Sequence, residues 1–122
     1  MSIQESGPSA QSLSARISST VVRLMSEYTG RGPTKARTTI DGDLIVVLLR
    51  DTLTKGERQL VGLGKLESVL QMRGAFQSAM RAEACAAVEE LVGRKVIGFM
   101  SGNQADPDLA IEAFVLAPDE GP

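Results

Sequence analysis

One apolar pattern occurs twice in this chain. Shifted by 63 positions, Leu13, Ile17, Val21, Leu24, Met25 and Tyr28 fall on Phe76, Met80, Ala84, Ala87, Val88 and Leu91. Gly30-Arg31 then falls on Gly93-Arg94, and Asp43-Leu44 finds Asp108-Leu109 at a shift of 65. Each unit reads helix, Gly-Arg turn, strand, hairpin, strand. A chain that uses one such unit twice has few architectures open to it. The expectation is an α+β fold, αββ-αββ, with a four-stranded antiparallel sheet in order 1-2-4-3 and both long helices on one face. The order follows from burial: the second strand of each unit is the more apolar, so these two belong in the middle.

The spacing 13, 17, 21, 24, 25, 28 is one helical stripe and predicts a first helix from about Ser9 to Thr29, stopped by Gly30 and Gly32-Pro33. Strands are predicted at 35–40 and 43–50 around an Asp41-Gly42 turn. Thr54 and Glu57 have capping-box spacing, which predicts a short helix in the joining segment 51–64. A second long helix is expected over 65–92, with the stripe Val69, Met72, Phe76, Met80, Ala84, Ala87, Val88 and Leu91. At ~1.5 Å per residue it outruns a seven-residue strand, so it overhangs the sheet, bends near Gly74 or breaks there. Strands at 95–101 and 108–116 complete the unit. Residues 9–116 therefore form one domain, with repeats at about 9–50 and 65–116. The Ser/Gly/Pro-rich residues 1–8 are expected to be disordered, and residues 117–122 to fray.

Leu44 to Leu49 are six consecutive apolar residues. Strand side chains alternate, so both faces of this strand must be covered. With both helices on one face, the other needs a second cover, and large apolar patches are uncommon on soluble monomers. A homodimer or higher oligomer is expected, with Ile45, Val47 and Leu49, or their neighbours, as candidate interface residues on the sheet and Val69 and Met72 on the helix extension.

The chemistry is sparse. The chain has no histidine, which removes the usual general base and the commonest transition-metal ligand. The lone Cys85 sits in an Ala-rich helix and reads as a small buried hydrophobe. Asp41-Gly42-Asp43 and Asp106-Pro107-Asp108 read as turn formers before metal ligands. Gly62-Leu63-Gly64-Lys65 lacks the spacing of a phosphate loop. No cofactor, metal site or catalytic residue is expected. Charge is uneven: residues 16–73 carry ten Lys/Arg against six Asp/Glu, and residues 74–122 carry three against eight. Two solvated surfaces account for this, as does a basic half that meets an anion, an acidic protein, a membrane surface or the acidic half of a second copy. Nucleic acid is disfavoured by a pI of about 5.1 and by the lack of aromatics among the basic residues. Arg31, Thr34, Lys35 and Arg37, with Arg50 or Arg58 nearby, form a candidate oxyanion site. A helix end that attracts Arg31, beside a solvated strand, explains the same residues. The polar Met1–Ala10 segment and the absence of a long apolar run favour a cytoplasmic location.

Three segments carry a resemblance: Glu27-Tyr-Thr-Gly-Arg-Gly-Pro-Thr-Lys-Ala-Arg-Thr, Leu49-Arg-Asp-Thr-Leu-Thr-Lys-Gly-Glu-Arg, and Gly93-Arg-Lys-Val-Ile-Gly-Phe-Met-Ser with Asp106-Pro-Asp-Leu. In order and spacing the chain resembles the MpsC domain family over about residues 13–116. The family is named for a bacterial system that generates membrane potential by cation translocation and is linked to inorganic-carbon uptake. The resemblance implies a small accessory domain and supplies no catalytic residues. Three functions are carried forward: a non-catalytic binding or regulatory module, homo-oligomeric and docking on a membrane transporter subunit; a small-anion or nucleotide sensor using the 31–37 segment; and an enzyme with a carboxylate or lysine centre.

Overall fold

The computed structural model describes residues 12–32 and 35–119. The segments 1–8 and 120–122, the expected helix start at 9–11, and Thr34 lie outside the described residues. The elements are α1 (Leu13–Thr29), β1 (Lys35–Asp41), β2 (Leu44–Arg50), α2 (Lys55–Gly62), α3 (Leu66–Val92), β3 (Val96–Gln104) and β4 (Leu109–Leu116). The sheet is antiparallel throughout, in the order β1-β2-β4-β3.

Local chemistry sets the boundaries. The Ser12 side chain accepts from the Ala15 N–H at 2.9 Å and starts α1. Gly30 (φ 81°) ends it, and Gly93 (φ 73°) ends α3, both in the left-handed conformation that a Cβ disfavours. These are the two glycines related by the 63-residue shift. The first hairpin is one residue out of the expected register. Asp41 pairs with Leu44, so Gly42 and Asp43 are the turn. Gly42 has φ 60° while Asp43 keeps a negative φ, which suits a turn with glycine first. Thr54 and Glu57 form the full capping box of α2. Helix α3 runs unbroken through Gly74. Ala117, expected to fray, donates to the Lys95 carbonyl at 2.8 Å and accepts from Arg94.

The core lies between the helices and one sheet face. Ile17, Val21, Leu24 and Met25 of α1 and Met80, Ala84 and Val88 of α3 meet Ile45, Val47, Leu49, Phe99, Ala110, Phe114 and Leu116. Phe99 and Phe114 pack tilted, with ring centroids 5.1 Å apart. The register fixes the other face. Lys35, Arg37, Thr39 and Asp41 of β1 lie across from Arg50, Leu48, Val46 and Leu44 of β2. These continue to Leu109, Ile111, Ala113 and Val115 of β4, and then to Gln104, Gly102, Met100 and Gly98 of β3. Among the described residues, no helix covers this four-by-four grid.

This arrangement corrects the expected interface. Ile45, Val47 and Leu49 are fully buried under the helices, because alternation turns the odd-numbered residues of β2 toward α1 and α3. The even-numbered Leu44, Val46 and Leu48 face outward. Val69 is also fully buried, whereas Met72 is exposed. The buried stripe of early α3 is Val69, Arg73 and Gln77, one position on from the expected Met72 and Phe76, because polar groups of α2, β3 and β4 face that side of the helix.

Candidate functional site

The open sheet face combines an apolar centre with charged corners. At one end, Lys35, Arg37 and Arg50 surround a depression of about 490 Å³ whose other lining residues are Ala36 and Leu48. Beyond Leu48 lies an apolar hollow of about 290 Å³, lined by Gly102, Leu109 and Ile111 among others. The approach is close here: a Cβ on Gly102 would come within 3.3 Å of Ile111 Cγ2, which would have to shift by a few tenths of an ångström. At the other end of the same face stands Asp41, across from Leu44. Among the described residues, Lys35, Arg37, Arg50 and Asp41 have no ion-pair partner.

The sequence cluster is therefore divided. Lys35 and Arg37 do share a depression, and Arg50 joins them. Arg31 is engaged elsewhere: its Nη2 donates to the Asp51 carbonyl at 3.1 Å and lies 3.7 Å from the Asp51 carboxylate. Arg58 belongs to that second group, 3.6 Å from Asp51 and 3.9 Å from Asp108. Asp108 accepts from Thr52 Oγ1 and the Leu53 N–H, both at 2.9 Å. It thus ties the start of β4 to the chain leaving β2, a structural task beyond turn formation.

A buried polar network went unforeseen. Arg73 and Glu57 form an ion pair at 3.4 Å with both side chains nearly inaccessible. Glu57 also accepts from the Thr54 N–H at 2.8 Å. Gln77 donates to Glu112 at 2.8 Å and to Asn103 at 3.2 Å, and Ser101 also hydrogen-bonds to Glu112. Burial pushes the Glu112 carboxyl above its ordinary range, while the Ser101 and Gln77 hydrogen bonds and the nearby Arg73 charge oppose that shift. Desolvation offsets much of the attraction in such a buried pair, while removing one partner would leave an uncompensated buried charge. Its signal in the sequence was the i, i+4 spacing of Arg73 and Gln77 after Val69, which the apolar stripe at 72 and 76 obscured. Burial likewise raises the Cys85 thiol, with Arg81 opposing. That is the opposite of what a reactive thiolate needs. No group of three or more His, Cys, Asp or Glu able to hold a metal ion occurs among the described residues.

Fold and surface together define a two-layer α+β domain, with helices on one side of its sheet and a face of apolar centre and charged corners on the other. The family model described as Na+-translocating membrane potential-generating system (MpsC) matches residues 9–118, and the chain belongs to that family. No curated protein and no solved structure matches it. No helix among the described residues is long and apolar enough to cross a membrane.

Proposed function

We propose that this chain is a non-catalytic accessory domain of a membrane-potential-generating system, one that assembles with copies of itself and docks on a membrane-bound component. The observation that carries this reading is the uncovered sheet face, whose two central strands present Leu44, Val46, Leu48, Leu109, Ile111, Ala113 and Val115. An apolar surface of that extent is uncommon on a protein that works alone. The family description supports the membrane partner. The tip formed by α2 and the start of α3 suits docking, since Leu60, Leu63, Leu66 and Met72 are exposed there, Leu63 at 72%.

Affinity capture from detergent-solubilised native membranes tests the docking, with wild type and Leu63→Asp compared side by side. An integral-membrane protein retained by wild type and lost by the variant supports the reading. Equal recovery by both, or no specific protein, counts against it.

A second reading is favoured by the corner of Lys35, Arg37 and Arg50. Three cations around one depression can take a small oxyanion through charge-assisted hydrogen bonds. A thermal-shift screen of bicarbonate, phosphate and nucleotides at constant ionic strength decides it. Stabilisation by one anion that Arg37→Gln abolishes would support a sensor; uniform responses would remove the idea.

A further inference from the structure

The open face is complementary to itself in one orientation, and from this we propose how two copies pair. The proposal rests on the self-assembly reading above and adds its geometry. Two sheets stack face to face about 10 Å apart with strands roughly aligned. A two-fold axis in the plane between them runs either along the strands or across them.

An axis along the strands places β1 over β3 and β2 over β4 of the second copy, with strand ends kept together. Lys35 then meets Gln104, Arg50 meets Leu109, and Asp41 meets Gly98. Every charge faces an uncharged position. An axis across the strands places each strand over its own counterpart with its ends reversed. Lys35 then meets Asp41 of the second copy, and by symmetry Asp41 meets Lys35, so two ion pairs form, while Arg37 meets Thr39 and Arg50 meets Leu44. The centre fits as well: Ile111 meets Ala113, Leu48 meets Val46, and Met100 meets Gly102, where the absent side chain leaves a hollow. Large residues oppose small ones, as interdigitating sheets require.

The area suffices. Four strands at ~4.8 Å spacing and about seven residues at ~3.4 Å give roughly 460 Å² of flat area per copy. The two copies together bury on the order of 1,000 Å² before side-chain relief is counted, about the threshold for a specific interface. The assembly is a four-layer sandwich, helices outside and two sheets within, with the strands of one sheet antiparallel to those of the other.

Charge exchange tests this arrangement. Wild type, Lys35→Glu and Asp41→Lys are compared by sedimentation velocity at low salt, alone and mixed. Alone, each variant sets like charges opposite each other twice, and its self-association weakens by about tenfold or more. Mixed in equal amounts, one chain of each kind restores both opposite-charge pairs, and dimer returns to within about threefold of wild type. A second measurement needs no variant. Lys35 and Asp41 lie ~20 Å apart along one strand, beyond a zero-length carbodiimide cross-link within a chain. A Lys35–Asp41 cross-link between isotopically labelled and unlabelled wild-type chains therefore confirms the pairing. If wild type stays monomeric at about 100 μM, self-assembly and this geometry both fall. If it dimerises but mixing restores nothing and the cross-link is absent, only this geometry is overturned.

Discussion

The two faces of the sheet have similar composition and different demands. The covered face holds Ile45, Val47, Leu49, Phe114 and one carboxylate, Glu112, all fully buried. The open face holds as many aliphatic residues, with Lys35, Arg37, Arg50 and Asp41 at its ends. The covered face tolerates its carboxylate only because Gln77, Ser101 and Arg73 converge on it. The open face leaves its charges unpaired among the described residues, where a partner can reach them. Polar groups on the first face are satisfied by folding; those on the second are available to association. Substitutions on the two faces should therefore affect different measurements.

The largest effect is expected on the covered face. Phe114→Ala removes a fully buried ring that packs against Phe99. It should cost about 3–5 kcal/mol of unfolding free energy, a large share of the ~5–15 kcal/mol typical of a domain. Urea denaturation of dilute protein would measure it. A loss under about 1 kcal/mol would mean that the two faces are not distinguished by burial in the way described.

The next effect concerns Glu112. Its folded-state pKa is raised, chiefly by burial. Over the pH range between the ordinary carboxylate value and the raised one, the folded chain holds a proton that the unfolded chain has released. Stability therefore falls as pH rises through that window, and the contribution is fully favourable only below it. Glu112→Gln keeps an acceptor for Gln77 and removes the titration. Its unfolding free energy should lose this decline, so that the difference between variant and wild type grows in the variant's favour as pH rises. Parallel profiles would show that Glu112 does not titrate differently in the folded chain.

Much of this was legible beforehand because it follows from short-range patterns. The sheet order came from the relative apolarity of the second strand in each unit. The caps at Gly30, Gly93 and Thr54 came from residue chemistry. Strand alternation divides β4 into Leu109, Ile111, Ala113 and Val115 on one side and Ala110, Glu112, Phe114 and Leu116 on the other. What escaped depends on which element lies opposite. Six consecutive apolar residues in β2 cannot reveal which parity faces the helices, so the sequence leaves Ile45, Val47 and Leu49 and their neighbours as alternatives, and it is the neighbours that face outward. Early α3 has a plausible apolar stripe at 72 and 76, and only the positions of Glu57 on α2 and Glu112 on β4 turn Arg73 and Gln77 inward. Arg31 and Lys35 are four residues apart, yet the capture of Arg31 by Asp51 depends on the chain leaving β2, twenty residues on.

The smallest expected effect is the most discriminating. Ile111 sits at the centre of the open face and is 38% exposed. Ile111→Thr keeps a β-branched side chain suited to a strand and removes little burial from a single chain. In dilute protein its unfolding free energy should stay within about 0.5–1 kcal/mol of wild type. Association stabilises the folded state by mass action, so the wild-type Tm should rise with protein concentration, and the variant's should rise less. At low concentration the two Tm values should nearly coincide; at high concentration they should separate. If they differ by the same amount at every concentration, Ile111 contributes to the single chain's own stability, and the open face is not the one reserved for association.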